Sequence, residues 1–354
     1  MDSTNLSRRD FLEKSGKVAL AASTLLYFKS LMGCATLSKE TREDVANIQW
    51  ECNPILPIPD IGAYTGTNWQ LGPAWVAETC KNQYSLPIAF NAFGRGTWAT
   101  SNEWFRPRDC QTLIKHKVVP VIRYIITGPN DSFRAVIQGK NDSKIQKFAE
   151  KAATFGHPIV LVPWQCVNEP DWEGQVWWWS RGDSGEYKEA WVRMHEIFEK
   201  EGANKNVVWS TKMIAGGFGP QNKALDWAAY TPPKEYLDII GWNCNSNIGH
   251  YGDQYDAAVS FDNQFHRDYI KAVEKYPTKP QMFWELGAAR TPRQADWMDK
   301  ALTLIQEKYY RVKGVMFDVR YSAIIGYDPR HTLETKEVIR KHFSSGYFIG
   351  SALS

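Results

Sequence analysis

A chain of 354 residues with 43% hydrophobic and 14% aromatic content is long enough to bury one large core. Its formal charge of +3, with no block of like charge downstream of the leader, excludes the electrostatic footprint of a nucleic-acid or anionic-surface binder. The unusual feature is 16 tryptophans.

The first element is a leader. Ser7-Arg8-Arg9-Asp10-Phe11-Leu12 is a twin-arginine export motif, followed by an apolar run over 18–32 that is too short, and too interrupted by Lys29, for a membrane span. It ends in Leu31-Met32-Gly33-Cys34, which resembles the lipobox of bacterial lipoproteins with Cys34 as the acylated residue. The bland alternative is an uncleaved N-terminal helix. Residues 1–34 therefore read as a signal peptide, 35–49 as a polar tether between lipid and domain, and 50–354 as one catalytic domain that folds before export. Five cysteines follow Cys34, an odd number, so at least one thiol is unpaired. Cys166 and Cys244 fall near strand ends, where packing is the simple reading and a bridge is the other. No Cys/His spacing suggests zinc, and no cofactor is implied.

Short apolar runs then alternate with amphipathic ones. The predicted strands are 61–65, 87–90, 118–126, 158–167, 206–212, 237–243, 281–286 and 314–319; the clearest helices are 143–155, 187–200, 262–275, 293–309 and 333–343. In 143–155 the apolar positions Ile145, Phe148, Ala149, Ala152 and Ala153 share one face, with Asp142 or Ser143 available as the cap. Eight such βα units predict an α/β fold of the (β/α)₈ TIM-barrel class. Gly156-His157 is a tight return into the fourth strand, whereas the segments leaving the strands are long, which fits a cleft built on the exit side.

Chemistry is therefore expected at strand exits. The fourth run ends at Asn168-Glu169-Pro170 and the seventh at Trp284-Glu285-Leu286. Two carboxyl groups about 5 Å apart, one protonated and one ionised, cleave a glycosidic bond through a covalent intermediate. Isolated, either glutamate is an ordinary loop residue; paired on this pattern they point to catalysis. Asn168 can bond a sugar hydroxyl, and Arg123 at the end of the third run can orient Glu285 or join a salt bridge elsewhere. Trp172, Trp177, Trp178 and Trp179 offer faces for stacking on pyranose rings, or form a core cluster. Tyr64 and Trp69 at the first run, Trp242, Asn243 and Asn245 at the sixth, Trp284 at the seventh, and Asp318 with Arg320 at the eighth complete the candidate substrate-binding set.

Ile137-Gln138-Gly139, Asp142, Ile145 to Ala149, Gly156-His157-Pro158, Asn168-Glu169, the tryptophans, 187–191, 202–209, 236–241, Lys279-Pro280 and Glu285-Leu286-Gly287 together resemble glycoside hydrolase family 26 across most of 60–343. The resemblance implies a clan A barrel, mostly retaining endo-β-mannanases, with Glu169 as acid/base and Glu285 as nucleophile. This chain departs from that pattern at Asn168, where the family usually has histidine, and at Asn245, where it usually has a tyrosine that bonds the nucleophile. The expectation is a lipid-anchored, exported, monomeric enzyme acting on a mannan-like polysaccharide or exopolysaccharide without metal. A carbohydrate-binding barrel without activity, and a glycan transferase using the same glutamates, are the competing readings.

Overall fold

The computed structural model describes residues 40–67, 90–93, 107–124, 132–169, 183–216, 224–249, 259–318, 327, 332–350 and 352–353. The expectations for Cys34, Trp69, Trp172, Trp177, Trp178, Trp179 and Arg320 lie outside the described residues. The chain divides into Met1–Asp44 and Val45–Ser354. In the first, Asp44 accepts the Thr41 N–H and hydroxyl, each at 2.8 Å. The stretch read as a tether up to residue 49 holds a short helix, α1 (Arg42–Ala46), in which Val45 is buried.

In the second unit the strands β1 (Ala63–Thr67), β2 (Phe90–Phe93), β3 (Val119–Tyr124), β4 (Ile159–Pro163), β5 (Val207–Trp209), β6 (Met213–Ile214), β7 (Ile240–Ser246), β8 (Gln281–Ala288) and β9 (Val312–Phe317) run parallel. Their order is β5-β4-β3-β2-β1-β9-β8-β7-β6. The two ends of that order are halves of one strand. Ser210 N–H bonds the Leu161 carbonyl of β4 at 2.9 Å, and Thr211 N–H bonds the Ile239 carbonyl ahead of β7 at 3.2 Å, so residues 207–214 carry the ladder from one neighbour to the other. The sheet returns on itself as a (β/α)₈ barrel, the predicted class. A further short strand, β10 (Phe348–Ile349), pairs with the start of β1.

β4 is apolar because it is covered on both faces. All five residues of β4, Ile-Val-Leu-Val-Pro, are buried. Alternate residues fill the barrel: Val119 and Val121, Val160 and Val162, Val208, Ile239, Met282, Trp284 and Met316 form one interior cluster, closed from below by Leu56 and Ala352. Gly241 makes room for it. A Cβ there would stand 1.9 Å from the Thr211 carbonyl and 2.2 Å from Trp284 Nε1, so only glycine lets the indole cross the interior to Ser210 Oγ at 2.7 Å.

The outward residues meet helices. Phe261 and Phe265 of α7 (Phe261–Lys275) pack on Phe283, and Phe265 packs on Trp242. α5 (Ser184–Lys200) starts three residues earlier than predicted because Asp183 caps the Glu186 N–H at 2.8 Å. α4 (Asp142–Phe155) buries the expected face and ends at Gly156. Its cap differs from expectation: Asn141 occupies the N-cap position without a side-chain bond, and Asp142 instead receives Arg193 Nε at 3.0 Å. α8 (Gln294–Glu307) and α9 (Leu333–Phe343) lie where periodicity put them. α2 (Pro107–Lys115), α3 (Phe133–Ile137) and α6 (Trp227–Tyr230) were not among the clear predictions; the last two are too short for a periodic signal. Cys52, Cys110, Cys166 and Cys244 are free thiols, so the simple packing reading of Cys166 and Cys244 holds and the bridge does not.

Candidate active site

The exit of β4 is where regular structure gives way. After Pro163 the backbone takes left-handed conformations at Trp164 (φ 49°) and Cys166 (φ 55°), which side chains other than glycine adopt at some cost. Cys166 N–H is then held on the Lys212 carbonyl at 2.6 Å, and Trp164 is pinned edge-on by Phe133 and Tyr187. Between the two turns, Gln165 presents Oε1 to Arg123 Nη1 and Lys212 Nζ, each at 3.1 Å.

Those cations converge on Glu285. Arg123 Nη1 donates to Glu285 Oε1 at 2.9 Å and Lys212 Nζ lies 2.5 Å from the same oxygen, with the carboxylate 2% exposed and the lysine 1%. A buried carboxylate is tolerated when paired and hydrogen-bonded, and both cations supply that here. Arg123 thus meets the partner expected of it. Lys212 and Gln165 were missed. The available signal was Lys212 itself, a cation closing an apolar strand run as Arg123 closes another; nothing in the sequence signals that Gln165 turns inward.

Glu169 is half-buried on the turn after β4, its N–H on the Cys166 carbonyl at 3.0 Å. The Cys166 thiol lies within electrostatic reach of both glutamates. Burial pushes it up to about 11; Lys212 opposes that shift, Glu169 and Glu285 add to it, and a 3.5 Å bond from Asn243 Nδ2 lowers it. The thiol is therefore neutral around pH 7.

Four candidates are corrected. Asn168 spends its amide on backbone: Nδ2 donates to the Ile214 and Leu225 carbonyls at 3.0 and 3.2 Å, and Oδ1 accepts the Ile214 N–H at 2.8 Å. It anchors the loop instead of meeting a sugar. Tyr64 sits at the entry end of β1 in the interior cluster, its hydroxyl donating to the Pro57 carbonyl at 2.7 Å. Trp242 faces the helices, with Nε1 on Gln281 Oε1 at 2.9 Å. Trp284 fills the barrel interior beneath the site.

The remaining polar residues border the same mouth. Asn243 pairs in register with Glu285, and Asn245 with Gly287. Asn245 Nδ2 donates to Asp318 Oδ2 at 2.9 Å, and Asp318, fully buried, hangs its N–H on the Leu286 carbonyl at 3.0 Å. Tyr327, also unforeseen, donates to Asn247 Oδ1 at 2.5 Å. Among the described residues no group of three or more His, Cys, Asp or Glu side chains is placed to hold a metal ion.

No family model and no curated protein matches this chain. Solved structures do. An endo-β-1,4-mannanase double mutant from Cellulomonas fimi is 17% identical with a TM-score of 0.59, over 81% of this chain and 72% of that one. The GH26C protein of Muricauda sp. is 15% identical with a TM-score of 0.61, over 88% and 96% of the two chains. A GH26 β-mannanase from Bacteroides ovatus is 16% identical with a TM-score of 0.57, over 81% and 90%. At such identities the likeness fixes the fold: this chain has a family 26-like (β/α)₈ barrel.

Proposed function

We propose that the protein is a retaining glycoside hydrolase that cuts within a β-linked polysaccharide, with Glu285 as nucleophile and Glu169 as acid/base. The observation that carries this is Glu285 itself, a buried carboxylate at a strand exit, paired with both Arg123 and Lys212. A lone buried acid would take up a proton; one held by two cations stays available to attack.

In the first step Glu169 gives its proton to the glycosidic oxygen while the Glu285 carboxylate bonds the anomeric carbon and the leaving sugar departs. In the second, Glu169 takes a proton from water, whose oxygen displaces Glu285, so the anomeric configuration is retained. This mechanism requires the carboxyl groups to come within about 5 Å of each other around the sugar. The neighbouring structures, endo-β-1,4-mannanases among them, support a mannan-like substrate, with the producing cell's own exopolysaccharide as the other choice. The leader supports export by the twin-arginine route, a lipid at Cys34 holding a monomer to the cell envelope, and Cys34→Ser should move the protein to the soluble fraction.

A second reading, a barrel that binds glycan without cleaving it, is favoured by the commitment of the Asn168 amide to backbone. Treatment with a 2-deoxy-2-fluoro-β-mannoside separates the two. A covalent adduct on Glu285, seen by peptide mass spectrometry, is the expected result. Absence of any adduct, together with no reducing ends released from β-mannan, β-xylan or β-glucan, would sink the hydrolase reading.

A further inference from the structure

Lys212 follows the point where the strand over 207–214 changes neighbour, just after Ser210 and Thr211, whose N–H groups bond the Leu161 and Ile239 carbonyls. Its own carbonyl holds the Cys166 N–H at 2.6 Å, so backbone bonds fix the base of its side chain. From there Nζ reaches to 2.5 Å from Glu285 Oε1 and 3.1 Å from Gln165 Oε1, with 1% of the side chain exposed. A lysine closed off from water is driven toward its neutral form unless an anion touches it. Here the contact is closer than that of Arg123, at 2.9 Å.

Arg123, a permanent cation in contact, is enough to keep a buried carboxylate charged. The second cation is surplus as long as Glu285 is an anion, so its effect is to be sought in the step where that charge changes. Around the three stand the Glu169 carboxyl and the Cys166 thiol on the turn after β4, the Asn243 amide on β7, and Asp318 after β9, which Asn245 engages. When Glu285 bonds the anomeric carbon, its negative charge is lost to the ester and two buried cations face a neutral group. When water displaces it, the carbon–oxygen bond breaks with its electron pair returning to the carboxylate, Glu169 takes the water's proton, and both ion pairs re-form. A fixed cation in a dry site favours the charge that develops in this second step and opposes its loss in the first.

We propose that Lys212 drives release of Glu285 from the glycosyl-enzyme, making the carboxylate a good leaving group and the covalent intermediate short-lived. The proposal rests on the hydrolase reading and deepens it by assigning control of the second step to one residue. Arg123 holds the charge of the nucleophile in the free enzyme, and Lys212 sets how long the sugar stays attached.

The test forms the adduct on Glu285 with the 2-deoxy-2-fluoro-β-mannoside in the wild type, Lys212→Met and Lys212→Arg, removes excess reagent, and follows the return of unlabelled protein by intact mass. The expected result is an adduct that lasts about tenfold longer or more in Lys212→Met, and within about threefold of the wild type in Lys212→Arg. With a 2,4-dinitrophenyl β-mannobioside, whose leaving group needs no proton, kcat and KM of Lys212→Met should fall together while kcat/KM holds. The acid limb of kcat/KM should also move up by about 1 pH unit or more, because Glu285 has lost one of two neighbouring cations. A merely structural role lowers kcat and kcat/KM alike and leaves the adduct's lifetime unchanged. That pattern, or lifetimes within about twofold in all three proteins, overturns the proposal while the hydrolase reading stands. Lys212→Gln takes the place of Lys212→Met in each arm if the latter does not fold. A wild type that forms no adduct and releases no reducing ends from β-mannan, β-xylan or β-glucan removes the hydrolase reading and the proposal with it.

Discussion

The same strands are an apolar solid at one level and a charged mouth at another. Inside the barrel, Val119, Val121, Val160, Val162, Val208, Ile239, Met282, Trp284 and Met316 interdigitate without a charge among them. At the exits of those strands stand Arg123, Lys212, Glu285, Asn243, Asn245 and Asp318, all buried. The contrast is sharpest between neighbours: Trp284 belongs to the filling and Glu285 to the mouth, although both turn inward. Stability and chemistry are thus separated along the strand axis, so a substitution's effect follows from its level in the barrel and not from its degree of burial.

Three substitutions probe that separation, in descending size. Glu285→Gln removes the proposed nucleophile and should lower kcat/KM by about 10⁴-fold or more on any polysaccharide found to be cleaved by the wild type; turnover within tenfold of wild type would break the assignment. Trp284→Ala, one residue away, should act on stability, costing about 3–5 kcal/mol in denaturant unfolding while the folded fraction still hydrolyses substrate. A variant as stable as wild type would mean that the indole does not fill the interior. Lys212→Met lies between these cases. Arg123 still neutralises Glu285, but the carboxylate loses one of its two guides, and a displacement of 1 Å is enough for an expected fall of up to about 100-fold, chiefly in kcat. A rise in KM at constant kcat would instead make Lys212 a substrate-binding residue.

The filling was far more legible in the sequence than the mouth. β-branched runs such as Ile159 to Val162 declare a strand covered on both faces, and Arg123 and Glu285 stand out because charge at the end of such a run needs a reason. What failed was direction. Strict alternation puts Trp284 and Glu285 on opposite faces, but the β7–β8 register shifts after Trp242, which pairs with Phe283 while Asn243 pairs with Glu285, so one residue is skipped and both neighbours point inward. Trp242 was assigned to the cleft from its place in the chain, yet alternation along β7 turns it toward α7. Gln165 depends on left-handed turns at Trp164 and Cys166, and no local preference of tryptophan or cysteine announces them.

The smallest prediction compares two arginine–carboxylate pairs of similar geometry. Arg193 grips Asp142 through Nε at 3.0 Å and Nη2 at 2.5 Å, a two-point contact that raises the guanidinium above its ordinary range, yet the two side chains are 38% and 40% exposed. Arg123 reaches Glu285 through one nitrogen, but the pair is 8% and 2% exposed. Counting bonds would favour the first pair. Solvent decides otherwise, because an exposed pair competes with water and with salt, whereas removing one member of a buried pair leaves a charge that water cannot reach. Asp142→Ala should therefore cost no more than about 1 kcal/mol, and less in 1 M salt. Arg123→Met keeps Lys212 on the Glu285 carboxylate but loses the planar donor, and should cost about 2–3 kcal/mol with little change in salt. Denaturant unfolding of both variants at low and high salt measures this directly. Equal costs, or a salt-sensitive loss at Arg123, would show that the mouth is wetter than its burial implies and that the separation along the strands is weaker than drawn.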